Sequence, residues 1–169
     1  MPFSHRTFCR VPELPSLSEV LVCLRQSGHQ AQILGGASQA RSSADDLLSC
    51  YWGEVHLVLG GAAEETLLYL KCLGPSRPLG HDAMRDAVTD FVDDVAELPA
   101  SAGRERVLEH LASTRAVLVV EFPSKGSGPT AEQAAECITT LCAERADGLA
   151  QRDGVGFVDE DDDVILALA

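Results

Sequence analysis

The residues in this sequence that could most readily do chemistry are carboxylates, and they fall into two groups. The first group is Asp86, Asp90, Asp93 and Glu97, at spacings of four, three and four residues. A helix with about 3.6 residues per turn places all four on one face, where neighbouring charges repel by about 0.2–0.5 kcal/mol per pair. A face that keeps this repulsion is typical of a surface that meets a basic partner. The alternative interpretation is an outer face that only meets solvent.

The second group is an uninterrupted acidic run near the end of the chain. It lies between two short apolar stretches and is typical of the exposed turn of a hairpin; its members are Asp159, Glu160, Asp161, Asp162 and Asp163. The same two interpretations apply to it, a partner-binding surface or a solvated turn. A helical calcium loop requires a central Gly and a distal Glu, and the run has neither. We therefore predict no metal site and no cofactor.

A glycine-rich segment, Lys125 to Thr130, gives the second candidate site. It lies between an apolar strand and a helix start, where backbone N–H groups can hold a phosphate. The segment does not match the P-loop, in which the Lys follows the second Gly and leads into the helix. A small phosphate-ligand-binding or nucleotide-binding enzyme that uses residues 125–130 is the alternative function, and a well-capped loop without a ligand is the simpler interpretation.

Cysteine and histidine patterns do not predict catalysis. None of the six cysteines forms a C-x-x-C pair, and no histidine lies at zinc-ligand spacing from one of them. His56 should face the opposite side of a strand from its apolar neighbours, and His110 should lie at the surface or at a boundary. No serine stands in a G-x-S-x-G elbow. We predict no catalytic residue and a non-enzymatic protein.

Apolar periodicity predicts the elements that must position these residues. Ser16 and Glu19 form a capping box ahead of a helix that Gly28 ends. The middle of the chain shows the period of strands, and a period near 3.6 then predicts helices at about 82–98, from about 102, and from about 130 to 147. Strands are expected at 29–34, 54–59 and 66–72, in a continuous apolar stretch at 116–122 that should be central and buried, and in a hairpin from 154 to 169.

This partial segregation of strands and helices predicts an α+β fold. We expect one domain, residues 1–169, with a mixed or largely antiparallel sheet and helices packed on it. A chain of 169 residues with 46% hydrophobic residues can form a core without disulfide or metal support.

The net charge of −13 is concentrated in a small part of the chain. Thirteen Lys and Arg face 26 Asp and Glu overall, yet residues 82–98 alone carry six acids against one Arg, and residues 153–169 carry six acids and no base. This balance argues against nucleic-acid binding and against docking on an anionic membrane. The first fifteen residues lack an apolar core of signal-peptide length, and no apolar run reaches membrane-spanning length. We therefore expect a cytoplasmic protein with reduced thiols.

From Gly53 onward, the order of the predicted elements resembles bacterial α+β domains of unknown function, some of which look like immunity proteins encoded beside secreted toxins. The resemblance covers about two thirds of the chain. It rests on the strand pair 54–72, the Pro75-Ser76-Arg77-Pro78 link, the stretch 106–112 before strand 116–122, Ala135, Leu141, and the steps at 147–149 and 153–155.

The resemblance and the charge distribution lead to one expected function. An acidic immunity protein would suit a toxin with a basic cleft, such as a nuclease, because its carboxylates would imitate phosphates. The expected contacts are the two acidic groups at 86–97 and 159–163. Whether these groups lie side by side in the fold distinguishes one binding surface from two separate exposed faces.

Overall fold

The computed structural model describes residues 3–34, 47–60, 66–123 and 128–168, and these contain eight strands and four helices. The strands are β1 Phe3–Cys9, β2 Gln30–Ile33, β3 Glu54–Gly60, β4 Thr66–Leu73, β5 Ala116–Phe122, β6 Gly148–Arg152, β7 Gly156–Val158 and β8 Val164–Ala167. The helices are α1 Leu17–Gln26, α2 Gly80–Ala96, α3 Ala102–Ala112 and α4 Gly128–Arg145.

All eight strands join one open sheet in the order β2-β3-β4-β5-β1-β6-β7-β8. Every neighbouring pair is antiparallel. With helices packed on this sheet, the chain is a single α+β domain, as the sequence predicts. The prediction left open a mixed or an antiparallel sheet, and the described strands form an antiparallel one.

Helices cover both faces of the sheet. Alternate residues of β5 divide between two cores: Leu118 and Val120 lie under α1 and α4, whereas Val117 and Val119 lie under α2 and α3. We call these sides the α1/α4 face and the α2/α3 face. This explains why β5 is apolar throughout and confirms that it is central and buried. A strand covered on both faces has no side in solvent that would carry polar residues.

Local signals set several helix boundaries. The Ser16 side chain accepts the N–H of Glu19, and the Glu19 carboxylate accepts the N–H of Ser16, so the predicted capping box is present. Helix α2 ends at Ala96, just before Pro99, and buries Met84 and Val95 toward the core.

His56 lies on the opposite side of β3 from the buried Val55 and Leu57, as its alternation predicts.

Two strands and one histidine differ from the expectation. The sequence did not predict β1, although it lies at the centre of the sheet between β5 and β6. It did not predict β6, because Gly148 was interpreted only as the end of a helix. His110 is 8% exposed rather than at the surface, because its ring reaches across to β1 and hydrogen-bonds the carbonyl of Phe8.

Candidate functional site

The outer side of α2 carries the first predicted acidic group. Its side chains Asp86, Asp90, Asp93 and Glu97 are all exposed, while the opposite side of the helix packs on α3 and the sheet. Within the described residues, none of these four carboxylates makes an ion pair or a side-chain hydrogen bond. The structure therefore leaves the four predicted contacts accessible, and it does not test what they bind.

An arginine from the next helix compensates the charge at the end of α2. Carbonyl groups at a helix C-terminus attract cations, yet the last turn of α2 contains none. Arg104 of α3 supplies one, donating from Nε to the Val95 carbonyl at 3.3 Å and from a terminal nitrogen to the Ala96 carbonyl at 2.9 Å. The last carbonyl groups of α2 thus gain hydrogen bonds and a positive charge from α3, and these contacts also hold α2 in place.

Internal hydrogen bonds organise the second acidic group. The Asp159 carboxylate accepts the backbone N–H groups of Asp161 and Asp163, both at 3.0 Å, which closes the turn between β7 and β8. Asp162 has a φ of 64° and pairs with Arg152 at 2.6 Å. Asp159 and Asp162 therefore have structural roles, and Glu160, Asp161 and Asp163 remain exposed.

The two acidic groups are held by different neighbours. Helix α2 is positioned by α3, whereas the acidic turn is tied to Arg152 of β6. No hydrogen bond or ion pair joins the two groups in the part of the chain that the structure describes. Of the alternative site at 125–130, residues 125–127 lie outside the described residues, and Thr130 is exposed near the start of α4.

A row of polar and aromatic side chains crosses the α2/α3 face where the helices leave it partly open. His56 stacks on Tyr69 with ring centroids 4.4 Å apart, and Tyr69 is the register partner of Glu121. Lys71 pairs with Glu121 at 2.8 Å and lies over the Tyr69 ring. Burial, with a hydrogen bond to Glu54, raises the pKa of Tyr69 to about 12, so its hydroxyl stays protonated.

The row continues onto β1 and the end of β6. Asp153 accepts the N–H and the hydroxyl of Ser4, each at 2.9 Å, and pairs with Arg6 at 2.8 Å. Burial opposes ionisation of this carboxyl, but the hydrogen bonds from Ser4 and the charge of Arg6 outweigh it and lower the pKa of Asp153. Tyr69, Lys71, Glu121, Ser4, Arg6 and Asp153 all have hydrogen-bond or ion-pair partners, and His56 stacks on Tyr69, so the row links five strands.

Two thiols meet on the opposite side of the molecule, between α1 and α4. The Sγ atoms of Cys23 and Cys137 are 2.7 Å apart, and the Ser27 hydroxyl oxygen lies 3.3 Å from the Sγ atom of Cys137. They line an open cleft of about 780 Å³ whose wall also includes Glu136 and Arg152. Burial, with the neighbouring thiol, raises the pKa of Cys23 to about 12, so the Cys23 thiol stays protonated.

A third cluster lies beside this cleft. One ligand atom each from His5, Glu132 and Glu136 fall within 4.8 Å of one another. Glu132 and Glu136 are one helical turn apart on α4, and His5 lies on β1 beneath them. The sequence gives no signal for this group, because 127 residues separate His5 from Glu132 and no local motif connects them.

The fold and its surfaces define the class of protein: a four-helix, eight-strand antiparallel α+β domain with helices on both sides of the sheet. Comparison of the chain with protein-family models, with curated proteins and with solved structures finds no match. Within the described residues, no helix is long and apolar enough to cross a membrane.

Proposed function

We propose that this protein is a non-enzymatic binding protein, and specifically an immunity protein that neutralises a secreted bacterial toxin by occluding its active site. The single observation that supports this proposal most directly is the outer side of α2. There, Asp86, Asp90, Asp93 and Glu97 are exposed, and among the described residues no cation neutralises them. Such a surface favours a partner that brings its own positive charges.

The α2 surface is held firmly enough to act as a preformed template. Eleven residues separate Asp86 from Glu97, which spreads the carboxylates over about 16 Å of helix. The apolar side of α2 packs on α3, and Arg104 holds its C-terminal carbonyls. Because the helix is already ordered, its charges need no rearrangement when a partner binds, which reduces the entropic cost of association.

The chemistry of a basic cleft suggests the partner. A nuclease binds a chain of phosphates with Lys and Arg, and a row of fixed carboxylates can occupy the same positions. In this proposal α2 enters the cleft, and the exposed carboxylates of the acidic turn, Glu160, Asp161 and Asp163, add to the negative field. The protein works in the cytoplasm, before the toxin can reach its substrate there.

The test is binding to the protein encoded by the neighbouring gene, measured at low and at high salt. The variant is D86K/D90K/D93K, which reverses three charges on the outer side of α2. We expect its association rate to fall by at least about tenfold at low salt, and the wild-type rate to fall as salt rises. A cell that produces the partner should survive with wild-type protein and not with the variant.

The matched control is E105K/E109K/E144K, which makes the same change of charge at exposed glutamates outside both acidic groups. It should bind almost as tightly as wild type. Equal losses in the two variants would show that only net charge matters, and salt-independent binding with no loss in D86K/D90K/D93K would reject α2 as the contact surface.

A further inference from the structure

His5 is a buried imidazole without a hydrogen-bond partner. It is 3% exposed, lies edge-on to the Phe122 ring with centroids 5.1 Å apart, and is covered by α4. Both ring nitrogens are buried and unpaired among the described residues; the Ser4 backbone lies nearby without hydrogen-bond geometry. An imidazole always offers two polar nitrogens, and leaving a buried polar group unpaired costs about 1–3 kcal/mol. A buried polar group that lacks a partner therefore calls for an explanation, such as a role in binding an ion.

The side chains facing this imidazole are carboxylates. Glu132 and Glu136 are four residues apart on α4 and therefore project on the same side of the helix. One oxygen from each, with one ring nitrogen of His5, lie within 4.8 Å of one another. Ligand atoms about 2.1 Å from a tetrahedral zinc ion are about 3.4 Å from one another. Bringing the three ligand atoms to this separation requires the flexible glutamate side chains to move by at most about 1.4 Å.

The donor set around His5 suits a transition-metal ion. A mixed set of one imidazole and two carboxylates is a zinc-type donor set, whereas calcium and magnesium prefer oxygen alone. Glu132 is exposed, so the fourth position of such an ion would open to solvent.

Arg152 is the competing cation at this place. It is the register partner of His5 across β1 and β6, and it lies 3.4 Å from Glu136 and 2.6 Å from Asp162. An ion beside His5 would draw Glu136 away from the guanidinium, which would keep its shorter contact with Asp162. The positive charge of Arg152 therefore weakens metal binding without blocking it.

We propose that His5, Glu132 and Glu136 form a site for a divalent transition-metal cation of the zinc class, with one coordination position left to solvent. Three observations carry this inference: the unpaired buried imidazole, the glutamate pair one turn apart above it, and the opening toward solvent at Glu132. The site lies on the α1/α4 face and does not depend on the proposed function of α2.

Zinc titration of the chelator-treated full chain tests the proposal. Calorimetry should show one equivalent of zinc, and the thermal unfolding midpoint should rise with zinc concentration. Replacing exposed Glu132 in E132Q should weaken binding by at least about tenfold, since even outer partners of metal ligands contribute that much. The same change further along α4, E144Q, is the matched control and should bind as wild type does.

The two thiols of Cys23 and Cys137 are the rival zinc site, and the C23S variant separates the two possibilities. Under the proposal, C23S keeps its zinc equivalent, and cobalt in place of zinc gives no thiolate charge-transfer band. Loss of binding in C23S, or unchanged binding in E132Q, would overturn the proposal. H5L adds a second readout: it should lose the zinc response and, if it folds, gain stability without metal, because no nitrogen is left unpaired.

Discussion

Each face of the sheet buries one histidine beside β1, and the two histidines have opposite surroundings. On the α2/α3 face, His110 donates from Nε2 to the Phe8 carbonyl at 2.7 Å. On the α1/α4 face, both ring nitrogens of His5 are unpaired within the described chain. Most buried polar groups in proteins have a partner, so His110 follows the rule and His5 departs from it. Burial alone therefore does not distinguish the two histidines; the missing hydrogen-bond partner of His5 does.

The two faces differ in their cores as well. Under α2 and α3, the rings of Phe8, Phe91 and Phe157 contact one another with centroids 5.2–5.9 Å apart. Under α1 and α4 most core residues are aliphatic, with Trp52 and Phe122 as the buried aromatic residues, and the core contains the buried thiols of Cys9, Cys72 and Cys142. The α2/α3 face also leaves a satisfied polar row partly open. The two faces therefore differ in the residues that form their cores and in the polar groups that they leave exposed.

Removing the centre of the aromatic cluster should give the largest effect. Phe8 is fully buried and contacts both other rings, so Phe8→Ala should lower the free energy of unfolding by about 3–5 kcal/mol. Urea unfolding measures the change. Phe3, on the same strand and 46% exposed, is the matched control, and Phe3→Ala should cost well under half as much. Equal losses would show that the α2/α3 face is not a core of its own.

Strand β1 shows where prediction from sequence ended. The continuous apolar stretch Ala116–Phe122 and the apolar stripe of α2 were predictable, because burial against the sheet imposes a simple pattern on each. In β1, by contrast, Ser4, His5, Arg6 and Thr7 hide the strand pattern. Their burial depends on partners far along the chain, such as Gln151 and Asp153 for Arg6. Local periodicity contains no information about partners 145 residues away.

The candidate sites also differ in whether they could be predicted, depending on whether their residues lie on one element or on several. The acidic side of α2 could be predicted, since its spacing is a property of one helix. The cluster of His5, Glu132 and Glu136 could not, because it requires β1 and α4 to be packed together. The same holds for Cys23 and Cys137, whose meeting depends on how α1 lies against α4. The described cysteines are free.

A crosslink on the α1/α4 face should give the second largest effect. Diamide can accept two electrons and two protons from the thiols of Cys23 and Cys137, leaving a disulfide between residues 114 apart in the chain. Closing a long loop typically stabilises a protein by about 2–4 kcal/mol. Peptide mapping should find this bond, and urea unfolding should shift upward only in the oxidised protein.

The matched control for this crosslink is C137S, which should show no shift with diamide. The thiols of Cys9 and Cys142 should stay unmodified in the folded protein, because both are buried in the core, whereas Cys23 and Cys137 are partly exposed. A disulfide at Cys9 instead of Cys23 would contradict the packing of α1 on α4.

The smallest expected effect is a change in the pH dependence of stability, and it concerns His110, the buried histidine that has a hydrogen-bond partner. Burial lowers the pKa of His110 despite its bond to Phe8, so the unfolded chain takes up a proton near pH 6.5 before the folded chain does. The contribution of His110 to stability should therefore fall as the pH decreases from 6.5 toward the lower folded pKa, by up to about 1.4 kcal/mol per pH unit. His110→Gln keeps an N–H donor and removes the titration, so its stability should fall less steeply over this range.

The control is His81→Gln, made at an exposed position at the start of α2. It removes an imidazole that lies in solvent rather than in the core, and its slope of stability against pH is the reference for the slope of His110→Gln. Urea unfolding at pH 7, 6 and 5 measures all three slopes. An unchanged slope in His110→Gln would mean that the folded protein protonates this ring as readily as the unfolded chain does. The hydrogen bond to Phe8 would then not hold a neutral imidazole, and the contrast between the two buried histidines would rest on His5 alone.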